Sequence, residues 1–227
     1  MKLSEDTVNV LKNFSGINQS IQFRSGSVLR TISPLKTVYA EATIGDNLPK
    51  ECSIYDLNKL LAKISLQKDA ELQFDEDKVV IKSTSKKRSD SVKYCSPKTI
   101  VAPPEKALTL EDPDYTFVLS QEDLDWMRRS AGISGSPIFK FESDGTTVDF
   151  IALDPKNDAS DVSRIEIAQG DGKSTYSVAM KVENFKMMDG SYDVAIAKKG
   201  LVQFKHREKQ VTYYIAIEAK DSKFGEE

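Results

Sequence analysis

The 227 residues suffice for one large domain or two of roughly 110 residues. A composition of 39% hydrophobic and 30% charged residues excludes a disordered chain. The formal net charge of −3 excludes a uniformly basic nucleic-acid binder, although an acidic total still allows bases to be gathered on one surface.

In chain order, Leu3–Ile17 reads first, as an amphipathic helix. Ser4 is its expected N-cap, Glu5 and Asp6 suit the positive end of the helix dipole, and Val8, Leu11 and Phe14 form its apolar stripe. Gly16 is expected to be its left-handed stop. Ser20–Arg24 and Val28–Ile32 flank Ser25-Gly26-Ser27 and predict a hairpin, and Thr37–Ile44 predicts a further strand. Tyr55–Leu66 reads as a second helix, burying Leu57, Leu60, Leu61 and Ile64 and placing Lys59 and Lys63 on the opposite face. Short strands are expected at Ala70–Phe74, Val79–Ser83 and Ser89–Tyr94. The cluster Lys86-Lys87-Arg88 between the last two reads as a solvated turn, with nucleic-acid contact as the alternative.

Ser96–Pro113 contains four prolines, which remove amide donors and fix φ, so the segment reads as an extended linker. Ile100, Val101 and Leu108 are too apolar for a purely flexible spacer and are expected to lie against a domain surface.

The second half repeats the opening. Leu119–Ile133 aligns with Leu3–Ile17 over 15 positions without a gap, matching Asp6 with Glu122, Val8 with Leu124, Leu11 with Met127 and Lys12 with Arg128. Ser120 repeats the N-cap and Gly132 the expected stop, while Arg129 faces away from the stripe. A spacing of 116 residues is too long for a solenoid and indicates a duplicated domain. Strands are expected at Ser136–Phe141, Thr147–Leu153, Arg164–Ala168 and Thr175–Lys181, then a short helix at Val182–Met188, then strands at Tyr192–Ala197, Leu201–Lys205 and Val211–Glu218. The expected fold class is α+β: two similar domains, 1–98 and 114–227, joined by a linker at 99–113, each with two helices on antiparallel sheets.

Motifs for chemistry are lacking. Gly170–Thr175 resembles a phosphate loop, but Ile167 stands where the first glycine is required, and a hairpin turn at Asp171-Gly172 fits better. His206 is the only histidine, which argues against a His-based triad or a zinc cluster. Cys52 and Cys95 lack metal spacing and are expected to be reduced. Asn13-Phe14-Ser15 and Asn18-Gln19-Ser20 match glycosylation sequons but carry no weight without an export signal, and the opening residues show none. No apolar run reaches about 18 residues, so no membrane partner is expected. Neither an enzyme nor a cofactor is expected.

Several segments together resemble the sliding clamps of T-even-type bacteriophages, the DNA polymerase processivity factors. They are Met1-Lys2-Leu3-Ser4, Leu11-Lys12-Asn13-Phe14 with Ile17-Asn18, Tyr39-Ala40-Glu41-Ala42, Ile54-Tyr55-Asp56-Leu57-Asn58 and Val101-Ala102-Pro103. Weaker echoes follow at Glu122-Asp123-Leu124 and Lys186-Met187. The resemblance implies a DNA clamp fold assembled into a homotrimeric ring of six similar domains, with helices toward the central hole and sheets outside. It implies duplex DNA threaded through the hole without sequence readout, and a tethered replicative DNA polymerase. An ATP-dependent clamp loader and late-transcription factors are the other implied partners, in the cytoplasm of the infected bacterial host. On this reading Lys12, Lys59, Lys63, Arg128, Arg129 and Lys186 face DNA, because flexible bases attract phosphates without fixing register. The polymerase's C-terminal tail would use Ile100, Val101, Ala102, Pro103, Leu108 and Ile217. The alternative is a two-domain peptide-binding scaffold without DNA contact.

Overall fold

The computed structural model describes residues 1–225. Contacts divide the chain into two compact units, Met1–Ala107 and Leu108–Glu227.

Unit 1 opens with helix α1 (Glu5–Ile17). The Ser4 hydroxyl accepts the Thr7 amide at 3.2 Å, as an N-cap must. Asp46, near the end of strand β3 (Val38–Leu48), accepts from both the Ser4 amide and hydroxyl at 2.8 Å. Partial burial alone would raise the Asp46 pKa, but hydrogen bonds from Thr7 and Ser4 outweigh it and hold the carboxyl below its usual range. Asn18 closes the helix in an extended conformation, so Gly16 lies inside α1 and is not its left-handed stop.

Strand β1 (Ile21–Phe23) pairs with β4 (Cys52–Ile54), while β2 (Gly26–Ile32) pairs with β3. The hairpin expected between the first two runs is therefore absent. The chain turns a corner through Arg24–Ser25 into Gly26, at φ +109°, and the tight turn falls instead at Ser33–Thr37. There the Ser33 hydroxyl accepts the amides of Thr37 and Val38 at 3.0 Å. Helix α2 (Leu57–Ser65) is capped by Asp56, whose carboxylate accepts the Lys59 amide at 2.9 Å, and it packs beside α1. Strands β5 (Ala70–Phe74), β6 (Lys78–Ser83) and β7 (Ser89–Lys93) form an antiparallel sheet with β7 at its edge.

Unit 2 follows with β8 (Tyr115–Leu119) and α3 (Gln121–Ser134). Ser120 caps α3 through the Asp123 amide at 3.1 Å, and Gly135 at φ +66°, rather than Gly132, supplies the left-handed stop. Strands β9 (Ile138–Asp144), β10 (Thr147–Leu153), β11 (Ser163–Gln169), β12 (Thr175–Lys181) and β16 (Lys223–Phe224) form one sheet in the order β11-β10-β9-β12-β16. Asp171-Gly172 consequently bridges two strands that are not neighbours, so the hairpin expected there is a crossover loop. Strands β13 (Tyr192–Ala197), β14 (Leu201–His206) and β15 (Val211–Ala216) run in the order β15-β14-β13-β8. Between these layers, Phe139, Phe141 and Phe150 meet Phe185 and Phe204 at centroid separations of 4.8 to 6.3 Å, an aromatic core that none of its sheets could bury alone.

The helix expected at Val182–Met188 is reduced to a 3-10 turn at Val182–Asn184. Phe185 and Met187 are both buried while Lys186 between them is exposed, a period of two that an α-helix cannot provide. The described residues thus hold three α-helices, two in unit 1 and one in unit 2, where four were expected.

Asn18, which the sequence offers as part of a sequon and of the family resemblance, is the junction of unit 1. Its buried amide donates to Ile32 O at 2.8 Å and to Val101 O at 3.1 Å, and its Oδ1 accepts the Ser20 amide and hydroxyl at 2.9 and 3.0 Å. Asn18→Ala is expected to lower the unfolding free energy by about 2–4 kcal/mol, read from urea denaturation followed by circular dichroism, because several buried groups lose their partners at once.

Candidate nucleic-acid interface

The charge is divided unevenly along the chain. Unit 1 carries 17 Lys and Arg against 13 Asp and Glu, a formal +4, whereas unit 2 carries 15 against 22, a formal −7. Unit 1 is therefore the half whose overall charge attracts phosphates.

There α1 and α2 pack side by side through their apolar stripes and leave their outer faces to solvent. Lys12 is exposed on α1 and Lys59 is exposed on the first turn of α2. Lys63 lies one helical turn after Lys59 but is half-buried, with Nζ 2.5 Å from Asp90 Oδ1 on β7. Its charge is thereby compensated, so the two lysines of α2 are not equivalent. An exposed base can follow a phosphate; one held by a carboxylate must first give it up.

In unit 2 the two adjacent arginines of α3 divide in the same way. Arg128 is half-buried, and its guanidinium donates to Phe185 O at 2.9 Å and to Met187 O at 3.1 Å, with Asp189 at 3.6 Å. It pins the non-helical segment that replaces the expected second helix. Arg129 is exposed on the outer face of α3, in line with Glu122, Trp126 and Ile133. Lys186 is exposed, but it projects from that irregular segment and not from a helix. Of the six bases singled out in the sequence, Lys12, Lys59 and Arg129 therefore reach solvent from helices, Lys63 and Arg128 are engaged inside their own units, and Lys186 stands off-helix.

The basic trio Lys86-Lys87-Arg88 is fully exposed in the loop before β7. Asp69 organises that loop, accepting hydrogen bonds from Thr84, Ser85 and Ser83, and those bonds hold its carboxylate well below the usual range. This anchor is not legible in the sequence, since Asp69 lies about 15 residues away from its partners.

The apolar residues of 100–103 are extended and strapped to unit 1. Besides the Asn18 bond to Val101, Arg24 donates to the carbonyls of Pro103 and Pro104, and Arg30 donates to Glu105 O at 2.9 Å. Pro103 is buried, Ile100 and Ala102 are half-buried, and Val101 is 36% exposed. In unit 2, Leu108 is half-buried with its carbonyl accepting from the Tyr214 hydroxyl at 2.7 Å, and the half-buried Ile217 donates its amide to Gly200 O. The described residues hold no group of three or more His, Cys, Asp or Glu side chains that could bind a metal ion.

A family model described as DNA polymerase processivity factor matches residues 4–102. Among curated relatives, the sliding clamp of Vibrio phage KVP40 is 30% identical over 223 residues, covering 96% of this chain and 100% of that protein. The sliding clamp of Enterobacteria phage T4 is 32% identical over 228 residues, covering 96% and 97%. Among solved structures, a chain of the PCNA2–PCNA3 complex of Sulfolobus tokodaii superposes with a TM-score of 0.67 at 13% identity, covering 94% of this chain and 96% of that one. At that identity the superposition establishes the fold, which is the DNA clamp fold.

The two arginines are separable by experiment. Arg128→Ala should cost about 2–3 kcal/mol of stability in urea denaturation, since a charged donor to two carbonyls is removed, whereas Arg129→Ala should change it by less than about 0.5 kcal/mol.

Proposed function

The chain belongs to the sliding-clamp family of DNA polymerase processivity factors, and on that premise we propose how its bases and edges serve the task. The protein is a DNA sliding clamp that makes the replicative polymerase processive in phage DNA replication, acting in the infected host cell. No helix among the described residues is long and apolar enough to cross a membrane.

The single observation carrying the proposed interface is the pair of packed helices α1 and α2 with Lys12 and Lys59 exposed. Sliding requires attraction to phosphates without base readout, and long flexible amines provide it while leaving register free. Arg129 is proposed as the contribution of α3. Lys63 is proposed as a second-rank contact that must exchange Asp90 for a phosphate. Retention on DNA then comes from closure of the ring, and the protein itself performs no bond-making step. The extended apolar segment Ile100–Pro103 is proposed to receive the polymerase tail. A ring closed on itself needs opening, which is the task proposed for an ATP-dependent loader, and late-transcription factors are proposed as further partners.

Closure is proposed to use sheet edges. Strand β7 pairs only with β6, and β11 pairs only with β10, so each presents an unpaired backbone side among the described residues. Pairing β7 of one copy with β11 of the next would satisfy both and repeat without a free end. Three copies are expected, so light scattering at micromolar protein should return three times the chain mass; a monomer throughout would remove the ring.

With a trimer in hand, Lys12→Glu and Lys59→Glu should each shorten primer-extension products on a primed circular template. The salt dependence of DNA retention should fall by about one phosphate contact per substituted base. Product lengths unchanged in the double variant would place DNA elsewhere and favour the scaffold reading.

A further inference from the structure

Unit 2 contains a cavity of about 640 Å³ that none of the residues assigned above lines. It opens where β9 begins, where β10 gives way to its following loop and where β12 ends. The floor is apolar: Pro137, the buried Ile138, Pro155 and Val182. The Val182 amide donates to Pro137 O at 2.9 Å, which closes the floor between β9 and β12. Two of these four residues are prolines and have no amide to offer, so the floor selects for apolar groups.

The rim has the opposite character. Asp154, Glu183, Glu218 and Asp221 stand around it against two lysines, Lys156 and Lys181. Lys181 is shared between Glu183 at 3.9 Å and Glu218 at 4.0 Å, so neither carboxylate is closely paired. Unit 2 as a whole carries a formal −7, which extends the same field beyond the rim.

An acidic rim repels nucleic acid and anionic lipid headgroups, and an apolar floor gives nothing to a bare cation. A volume within the ~300–1,000 Å³ typical of ligand sites suits one or two large side chains. We propose that this groove docks a short basic peptide segment of a partner protein. An apolar side chain sits on Pro137, Ile138, Pro155 and Val182, and flanking lysine or arginine pairs with Glu183, Glu218 and Asp221. The assignment is independent of the clamp function and of the segment Ile100–Pro103.

The test is fluorescence anisotropy of the full-length protein with a labelled nonapeptide whose central Phe-Leu is flanked by lysine and arginine. Micromolar binding that weakens with salt is expected, as is a loss of about tenfold or more when the flanks are changed to glutamate. The double variant Glu183→Lys/Glu218→Lys alters exposed or half-exposed side chains and should keep its thermal midpoint while losing binding by about tenfold. Val182→Asp should lose it as well, and Val101→Asp should leave it unchanged. Equal binding by the glutamate-flanked peptide, or full binding by Glu183→Lys/Glu218→Lys, overturns the proposal. Loss in Val101→Asp with retention in Val182→Asp moves the peptide to the linker segment and overturns it equally.

Discussion

Attraction to a polyanion by a chain of net charge −3 depends on an uneven distribution of its bases and acids, because a charge acts only over the screening length, ~8 Å at physiological ionic strength. Two levels of organisation achieve this. Along the chain, the surplus of bases falls in unit 1 and the surplus of acids in unit 2. Along the helices, acids occupy the first turns, where they complement the dipole: Glu5 and Asp6 in α1, Glu122 and Asp123 in α3. Bases follow one or more turns later. The requirement of the helix and that of the DNA thus fall on different residues of the same element.

Separation of charge is useful only on a rigid support, and unit 1 obtains rigidity from short polar side chains. Ser4 and Asp46 fix the start of α1, and Asn18 fixes its end to β2, to Ser20 just before β1 and to the extended segment beyond β7. The apolar segment Ile100–Pro103 is held by the same junction and by Arg24. The helix that carries Lys12 and the strip proposed for the polymerase tail therefore share one anchor, whose loss would loosen both.

Much of this was legible in the sequence. Ser4 and Ser120 capped where the repeat placed them, and the stripes of α2 and most strands were set by local periodicity. What escaped was non-local. The β1–β4 pairing joins residues some 30 positions apart and is decided by how the chain turns its corner at Gly26, whereas the spacing of β1 and β2 mimics a hairpin. The segment after β12 has helical composition, but burial of Phe185 and Met187 on one side of an irregular chain won over propensity. Arg128, by taking the carbonyls of both, holds that outcome in place. For Lys63, the deciding partner Asp90 lies 27 residues away in a different element.

The two arginines of α3 show why an internal repeat can align residues without aligning their roles. Helices α1 and α3 start from equivalent serines, and the sequence alignment matches Lys12 with Arg128. Helix α1 buries Thr7, Val10, Leu11 and Phe14, whereas α3 buries Leu124, Met127 and Ala131. Mapped onto α1, the stripe of α3 is displaced by one residue, which at 3.6 residues per turn is a roll of about 100°. Val10 in the core then corresponds to Trp126, 46% exposed, and Ile17 in the core to Ile133, 89% exposed. The same roll carries Arg128 onto the flank of the stripe, within reach of the Phe185 and Met187 carbonyls, and brings Arg129 to the outer face that Lys12 occupies on α1. Aligned by burial instead of by letter, Arg129 is the counterpart of Lys12. The adjacent pair Arg128-Arg129 thus keeps both a structural and a solvent-facing base at a site where α1 has only one.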